Sequence, residues 1–344
     1  MADPILLADL TTVRLGGPAD EVVEATDEDT LVEAVAGADA DGRPVLVVAG
    51  GSNLVVADDP IERRVVLVRT AGVQVEADCP GGAHVQVAAG EDWDALVDRA
   101  VDRGWVGLEA LSGIPGSVGA TPIQNVGAYG QEVSDTTASV RAWDRVQRRQ
   151  RTLTPAQCGF GYRTSRFKAE PDRWLVLSVT FRLPVGETGE PVRYAELARR
   201  LGVDLGTRPP LRAVRDAVLA LRRRKGMVLD AGDHDTWSTG SFFTNPVLAA
   251  AAAAERLPAA APRWQQPDGR VKTSAAWLIE RAGFARGHGA GAARISTKHT
   301  LALTNRGAAS TAELLALARE VRAGVLDRFD VELEPEPTLV DCSL

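Results

Sequence analysis

Only three cysteines occur in the chain, Cys79, Cys158 and Cys342, far apart and without CxxC spacing. That excludes a disulfide framework and a thiolate metal site. The four histidines, His84, His234, His288 and His299, are equally scattered, so no metal is expected. No uncharged apolar run reaches the ~20 residues a membrane span requires. The opening MADPILLADL lacks the positive n-region and extended apolar h-region of a secretory signal. These absences point to a reducing, cytoplasmic compartment. A basic excess is missing too: Lys+Arg 39 against Asp+Glu 46 leaves a net charge of −7, which disfavours nucleic acid as a partner. The one basic cluster, Arg222–Lys225 (RRRK), suits a helix end or a small anion better than a polymer. No GxGxxG leads from a strand into a helix, there is no GxxxxGK[ST], and no G-x-S-x-G surrounds Ser241.

The chain has 344 residues, 45% hydrophobic and 25% charged, the profile of a soluble protein of two or three domains. Its acidic, unpatterned surface gives no reason to expect a multimer, and a monomer is the expectation. The stretch that organises it is Ser112–Gly130, SGIPGSVGATPIQNVGAYG. Glycines with Pro115 and Pro122 exclude a long helix or a regular central strand. Loops beyond about 12–15 residues are usually functional or disordered. Ile114, Val118, Ile123, Val126 and Tyr129 supply too much apolar matter for a disordered linker. The loop is therefore expected to fold around a ligand, although a plain surface loop would read similarly.

The rest predicts an α+β order without regular βαβ alternation. Asp27 caps a helix to about Ala38. Pro44–Ala49 is a buried strand ending in Gly50-Gly51-Ser52-Asn53, a turn that can offer amides to phosphate or merely end a strand. Val65–Val68 and Val85–Ala88 are strands. Asp92 starts a helix with Trp93, Leu96, Val97, Ala100 and Val101 on one face, closed by Gly104. Ala138–Trp143 and Leu175–Leu183 are strands. A short helix follows around Tyr194–Leu201, and a longer one runs from Leu211 to the RRRK cluster. Helices are also expected near Ala249–Ala254 and Thr273–Ala282, and a single strand over Ile295–Leu303. Ser310-x-x-Glu313 opens the last helix as a capping box, and Val331–Leu344 is a strand interrupted by prolines.

Six segments, in order, resemble the UDP-N-acetylenolpyruvoylglucosamine reductase family: TTVRLGGPAD (11–20), AGGSNLVV (49–56), the 112–130 loop, FGYRTSRFK (160–168), GSFFTNP (240–246) and LEPEP (333–337). The PIQN within the loop and the extra segment around Tyr194 are similar to the type I branch. The resemblance implies a two-part FAD-binding fold of the vanillyl-alcohol-oxidase (PCMH) type plus a C-terminal α+β substrate-binding domain. Its expected boundaries are 1–75 and 76–208 for the two flavin subdomains and 209–330 for the substrate domain, with 331–344 returning to the first.

It further implies noncovalent FAD held by Gly50, Gly51, Ser52, Asn53, Gly113, Pro115, Gly116, Ser117, Gly119, Asn125 and Gly127. No His or Cys lies in either flavin segment to attach it. The implied reaction is NADPH-dependent reduction of an enolpyruvyl ether in peptidoglycan precursor synthesis. Ser241 matches the family's proton donor; Arg163 and Glu336 match the pair that polarises the substrate carboxylate, with Glu336 protonated or sharing a proton to assist an anion. Tyr129, Tyr194, Lys225 and Asn245 match substrate contacts, and Trp264, standing where a tyrosine is common, is a candidate uridine contact. Two departures accompany it: a longer Lys225–Ser241 interval, and Pro337 in place of a β-branched residue. The alternatives are another FAD-dependent oxidase of the same fold, or a noncatalytic flavin- or sugar-nucleotide-binding protein.

Overall fold

A computed structural model describes residues 5–79 and 82–344, so Met1–Pro4, at the head of the N-terminal stretch read above, lie outside it. The chain divides into two compact units, each made from discontinuous segments: Asp20–Gly50 with Glu62–Arg224, and the segment up to Ala19 with Gly51–Ile61 and Lys225–Leu344.

In the first unit a parallel sheet is ordered Val22–Ala25, Arg64–Val68, Val45–Val48. The helix Glu28–Ala40 covers it, burying Leu31, Val35 and Ala38 against Ala25, Val45 and Val66. Asp27 starts this helix by accepting a hydrogen bond from Thr30 N at 2.8 Å, and Glu28 and Asp29 favour its positive end.

An antiparallel sheet of five strands follows, ordered Arg149–Leu153, Thr137–Asp144, Trp174–Leu183, Gly82–Ala88, Val73–Cys79. Alternation decides its two faces. Val85 and Val87 pair across with Phe181 and Val179, all buried, whereas His84 and Gln86 turn to the other face. The helix Trp93–Asp102 lies on the apolar face, and Trp93 meets Phe181 at 6.0 Å between ring centroids. Its indole donates to Leu111 O at 3.1 Å, so the polar tip of this buried ring is satisfied. Helices Ala195–Leu201 and Leu211–Arg224 complete the unit, packing Leu197 and Ala198 against Val214, Val218 and Leu221.

The second unit is built on the helix Thr311–Phe329. Both halves of its capping box form: Glu313 N donates to Ser310 Oγ at 3.1 Å, and Ser310 N donates to Glu313 Oε2 at 2.8 Å. Leu314, Ala318, Val321 and Val325 pack with Leu278 and Ile279 of the helix Ala275–Arg281 and with Phe242, Phe243, Ile295 and Leu303. The strand Thr338–Val340 runs parallel to Leu54–Val56, which ties the C-terminal segment to the Gly51–Ile61 segment.

One expected element is corrected. Ile295–Leu303 is not a single strand but a turn inside a hairpin of Ala293–Ile295 with Leu303–Asn305. Ser296 Oγ accepts from Lys298 N at 3.0 Å and His299 N at 3.2 Å, while Asp235 accepts from Thr297 N at 2.8 Å. These side chains satisfy the backbone locally and compete with a sheet ladder.

Candidate active site

The 112–130 loop is wired tightly into its unit. Asp94 accepts from Gly113 N at 2.6 Å and from Arg215 at 2.6 and 3.1 Å, so one carboxylate anchors the loop entrance to the Leu211–Arg224 helix. Trp93 N donates to Gly116 O at 3.0 Å, and Val118 N and Gly119 N donate to Glu91 O and Ala89 O. Gly113 and Gly116 have φ of 70° and 122°, values that suit glycine. Asn125 is buried at φ 46°; its amide donates to Glu132 Oε2 and Gly161 O and accepts from Ser134 N. Its side chain therefore holds the loop in shape.

Arg163 reaches this loop from the FGYRTSRFK segment. Its guanidinium donates to Gly127 O at 2.7 Å and to Asn125 O at 3.5 Å, and it adopts φ 53°. A left-handed backbone at a bulky residue costs about 1–3 kcal/mol and persists only where its surroundings over-determine it. Here carbonyls of the loop do so. The loop ends at Tyr129, which meets Tyr194 edge-on at 5.5 Å between ring centroids and 88° between planes. Burial pushes the Tyr129 phenol up to about 12, against an opposing pull from Arg222. Tyr194 is raised as well, chiefly by burial.

Two charged residues here escaped sequence reasoning. In the sequence Arg222 is one of a basic cluster, yet burial lowers its guanidinium to about 10, with Tyr129 among the groups pulling it back up. A helical projection carries the signal, since Arg222 lies four residues beyond the buried Val218, on the same face of its helix. Glu109 is completely buried just ahead of the loop. A lone acid inside the apolar run VGLEALSGI was the signal there.

In the other unit, GSFFTNP and LEPEP lie side by side. Glu336 N donates to Phe242 O at 2.8 Å, Phe242 N to Leu301 O at 2.8 Å, and Thr244 N to Glu334 O at 3.0 Å, with Phe243 bridged to Pro335. Ser241 and Glu336 thus occupy adjoining backbones. Phe242 and Phe243, fully buried, drive the anchoring. Ser241 is half-buried, and its hydroxyl bonds to none of the described residues. Asn53 joins this corner: its Nδ2 donates to Glu336 O at 3.3 Å, and its carbonyl accepts from Thr338 N at 2.9 Å. A side chain at Gly51, φ 59°, would run into the Leu10 carbonyl.

Of the remaining candidates in this unit, Asn245 Oδ1 accepts from Ala275 N at 3.0 Å, at the start of the helix Ala275–Arg281. Lys225 is half-buried, and Trp264 is exposed on the short strand Trp264–Gln265.

The glycine turn at the loop entrance has features an FAD would satisfy. The backbone N–H groups of Gly116 and Ser117 donate to no described residue. Ser117 Oγ is buried and has no hydrogen-bond partner, and buried polar groups in native proteins are rarely left so. Gly50 and Gly116, being without Cβ, bring two such turns together. Backbone donors in a concave turn match a diphosphate. Among the described residues no group of His, Cys, Asp and Glu could hold a metal ion, and no helix is long and apolar enough to cross a membrane.

Comparison with known proteins bears on the domains and on the family. Residues 19–149 match an FAD binding domain, and residues 232–340 match the C-terminal domain of UDP-N-acetylenolpyruvoylglucosamine reductase. The chain is 53% identical to the UDP-N-acetylenolpyruvoylglucosamine reductase of Cutibacterium acnes, over 99% of this chain and 91% of that one. It is 55% identical to the enzyme of that name from Salinispora arenicola, over 98% and 95%. The crystal structure of UDP-N-acetylenolpyruvylglucosamine reductase from Thermus caldophilus superposes with a TM-score of 0.64 at 25% identity, covering 99% of both chains. Identity above one half, sustained over almost the whole of both sequences, leaves no separate origin for the six motifs: the chain belongs to the UDP-N-acetylenolpyruvoylglucosamine reductase family.

Proposed function

We propose that the protein is an FAD-containing, NADPH-dependent oxidoreductase that reduces UDP-N-acetylglucosamine enolpyruvate to UDP-N-acetylmuramate, a step of peptidoglycan precursor synthesis. Full-length identity to reductases of this name supports the reaction, and the match to an FAD binding domain supports the cofactor. The observation that carries the residue-level reading is the Glu336 N to Phe242 O bond, which seats Ser241 and Glu336 on neighbouring backbones.

Bound FAD supplies the two-electron relay between NADPH and the vinyl carbon of the substrate. The protein's own work is to hold the substrate and manage charge and protons. Arg163 binds the enolpyruvyl carboxylate, since its planar fork can engage both oxygens. Glu336 assists in stabilising the developing enolate. Ser241 then donates the proton to the carbon next to the carboxylate, and its hydroxyl has no competing bond to a described residue. A serine hydroxyl is a weak acid, so the proton moves only to a strongly basic carbon in a site from which bulk water is excluded.

Gly50–Asn53 and the glycine turn of 112–130 hold the diphosphate of the cofactor and the edge of its ring. Tyr129 and Tyr194 close on the substrate, the latter on its diphosphate; Lys225 meets that diphosphate or the phosphates of NADPH, Asn245 holds the sugar nucleotide, and Trp264 contacts the uridine. The division into two flavin subdomains, 1–75 with the returning 331–344 and 76–208, and a substrate domain, 209–330, belongs to the same reading. So do a cytoplasmic monomer and the absence of nucleic-acid partners.

The purified protein should be yellow, lose its colour with NADPH, and regain it anaerobically when the enolpyruvyl sugar nucleotide is added. Bleaching without recovery would instead assign it to another oxidase of the same fold. A protein that stays colourless after reconstitution with FAD sinks both readings.

A further inference from the structure

Three N–H groups converge on the buried carboxylate of Glu109. Its Oε2 accepts from Gly107 N at 2.7 Å, and its Oε1 accepts from Glu190 N at 2.7 Å and from Gln131 Nε2 at 2.8 Å. Gln131 closes the knot, because its Oε1 accepts from Ala110 N at 2.8 Å. The donors come from three separate stretches of chain. Gly107 precedes the glycine loop, Gln131 stands just beyond Tyr129, and Glu190 lies shortly before Tyr194.

The strap that carries Glu190 bonds mainly to its own return. Gly189 N donates to Pro209 O, Val192 N to Thr207 O, Gly206 N to Val192 O and Leu211 N to Glu187 O. Glu109 and Gln131 tie the strap to the end of the loop by hydrogen bonds, beside the packing of Tyr129 on Tyr194. The strap is shaped to allow it: a Cβ on Gly189 would lie 2.7 Å from Glu109 Oε1. Glu109, Tyr129, Gln131, Glu190 and Arg193 all line one cavity of about 720 Å³.

We propose that Glu109 is a positioning residue that sets the separation of Tyr129 and Tyr194, and through them the fit of the substrate, without touching the substrate itself. The proposal rests on the reading of those tyrosines as substrate contacts. An ionised carboxylate suits the task because it only accepts. Glutamine at the same place would turn one acceptor into a donor facing the backbone N–H of Gly107 or Glu190, and the strap would shift to relieve the conflict.

The test is a cycle of Glu109→Gln, Tyr194→Ala and the double variant, read by steady-state kinetics and FAD content. Glu109→Gln should raise KM for the enolpyruvyl sugar nucleotide about tenfold, with kcat within about twofold and FAD content unchanged. In the Tyr194→Ala background the same substitution should alter KM by less than about twofold, because residues that act as one unit are not additive. Gly189→Ala, which displaces the strap but keeps the carboxylate, should reproduce the selective rise in KM. It also decides the matter if Glu109→Gln does not accumulate folded.

An undiminished tenfold effect in the Tyr194→Ala background would overturn the inference, as would an unchanged KM in both Glu109→Gln and Gly189→Ala. If Tyr194→Ala alone leaves KM unchanged, the tyrosine reading fails and the inference falls with it. If Tyr194→Ala raises KM while the other two do not, only the inference fails.

Discussion

Gly50 and Gly116 stand back to back: a Cβ built on Gly50 would lie 2.6 Å from the Gly116 Cα. The two glycine turns singled out as flavin contacts are thus packed against each other, main chain on main chain. Glycine is required here because a side chain would part the two turns.

Gly50→Ala should therefore cost stability and flavin together. Overpacking of this kind destabilises by about 1–3 kcal/mol. Thermal unfolding of the apoprotein and the visible flavin absorbance of the purified protein should both fall. Full FAD content with an unchanged midpoint would show that the two turns can part freely.

Ser241→Ala should separate the half-reactions. Bleaching by NADPH should proceed at the parent rate, whereas recovery with the enolpyruvyl sugar nucleotide slows by about 10²–10⁴, the usual worth of a positioned proton donor. Stopped-flow absorbance measures each step. Equal rates for variant and parent in the second step would remove Ser241 from the chemistry.

Arg163→Lys keeps the charge but gives up the fork. The fork now bonds to Gly127 O and Asn125 O, and an ammonium cannot reproduce that geometry while also engaging a carboxylate bidentately. Reoxidation should slow by about tenfold or more, for a loss on the order of 1.4 kcal/mol or more, with FAD retained. A lysine variant as fast as the parent would reduce Arg163 to a brace for the loop.

Alkaline pH should expose Tyr129. Burial, opposed by Arg222, sets its folded pKa at about 12, above the ordinary 10.0. A phenol with a raised folded pKa contributes stability that is complete below pH 10 and is lost as pH rises towards 12, because the unfolded chain ionises first. Denaturant unfolding at a series of pH values should show a steeper alkaline loss for the parent than for Tyr129→Phe. Parallel curves would mean that the phenol is no harder to ionise in the fold than out of it. Cys158, pushed up to about 11 by burial, acts in the same direction in both proteins and cancels from the comparison.

Local physics made much of this fold readable. Asp27, Asp92 and Ser310 announce their helices because a side-chain oxygen satisfies an N–H that the helix leaves open, and each does so in the structure. Alternation through Val85 and Val87 marks a one-sided strand, and the order of motifs places the chain in its family. The hairpin at Ile295–Leu303 was not readable, because Asp235, far away in sequence, decides that the chain turns at Thr297.

Short-range preference and motif order already carry most of the α+β elements, the glycine-rich turns and the membership of the reductase family. What the glycines and acids do emerges only from contacts between distant segments. Gly50 yields its space to Gly116, Asn125 is spent on holding the loop, Glu336 is aligned by the carbonyl of Phe242, and Glu109 joins stretches on either side of Tyr129 to the strap before Tyr194. Hydrogen bonds between residues distant in sequence exist only once the chain has folded, and no local pattern encodes which donors a buried carboxylate will find.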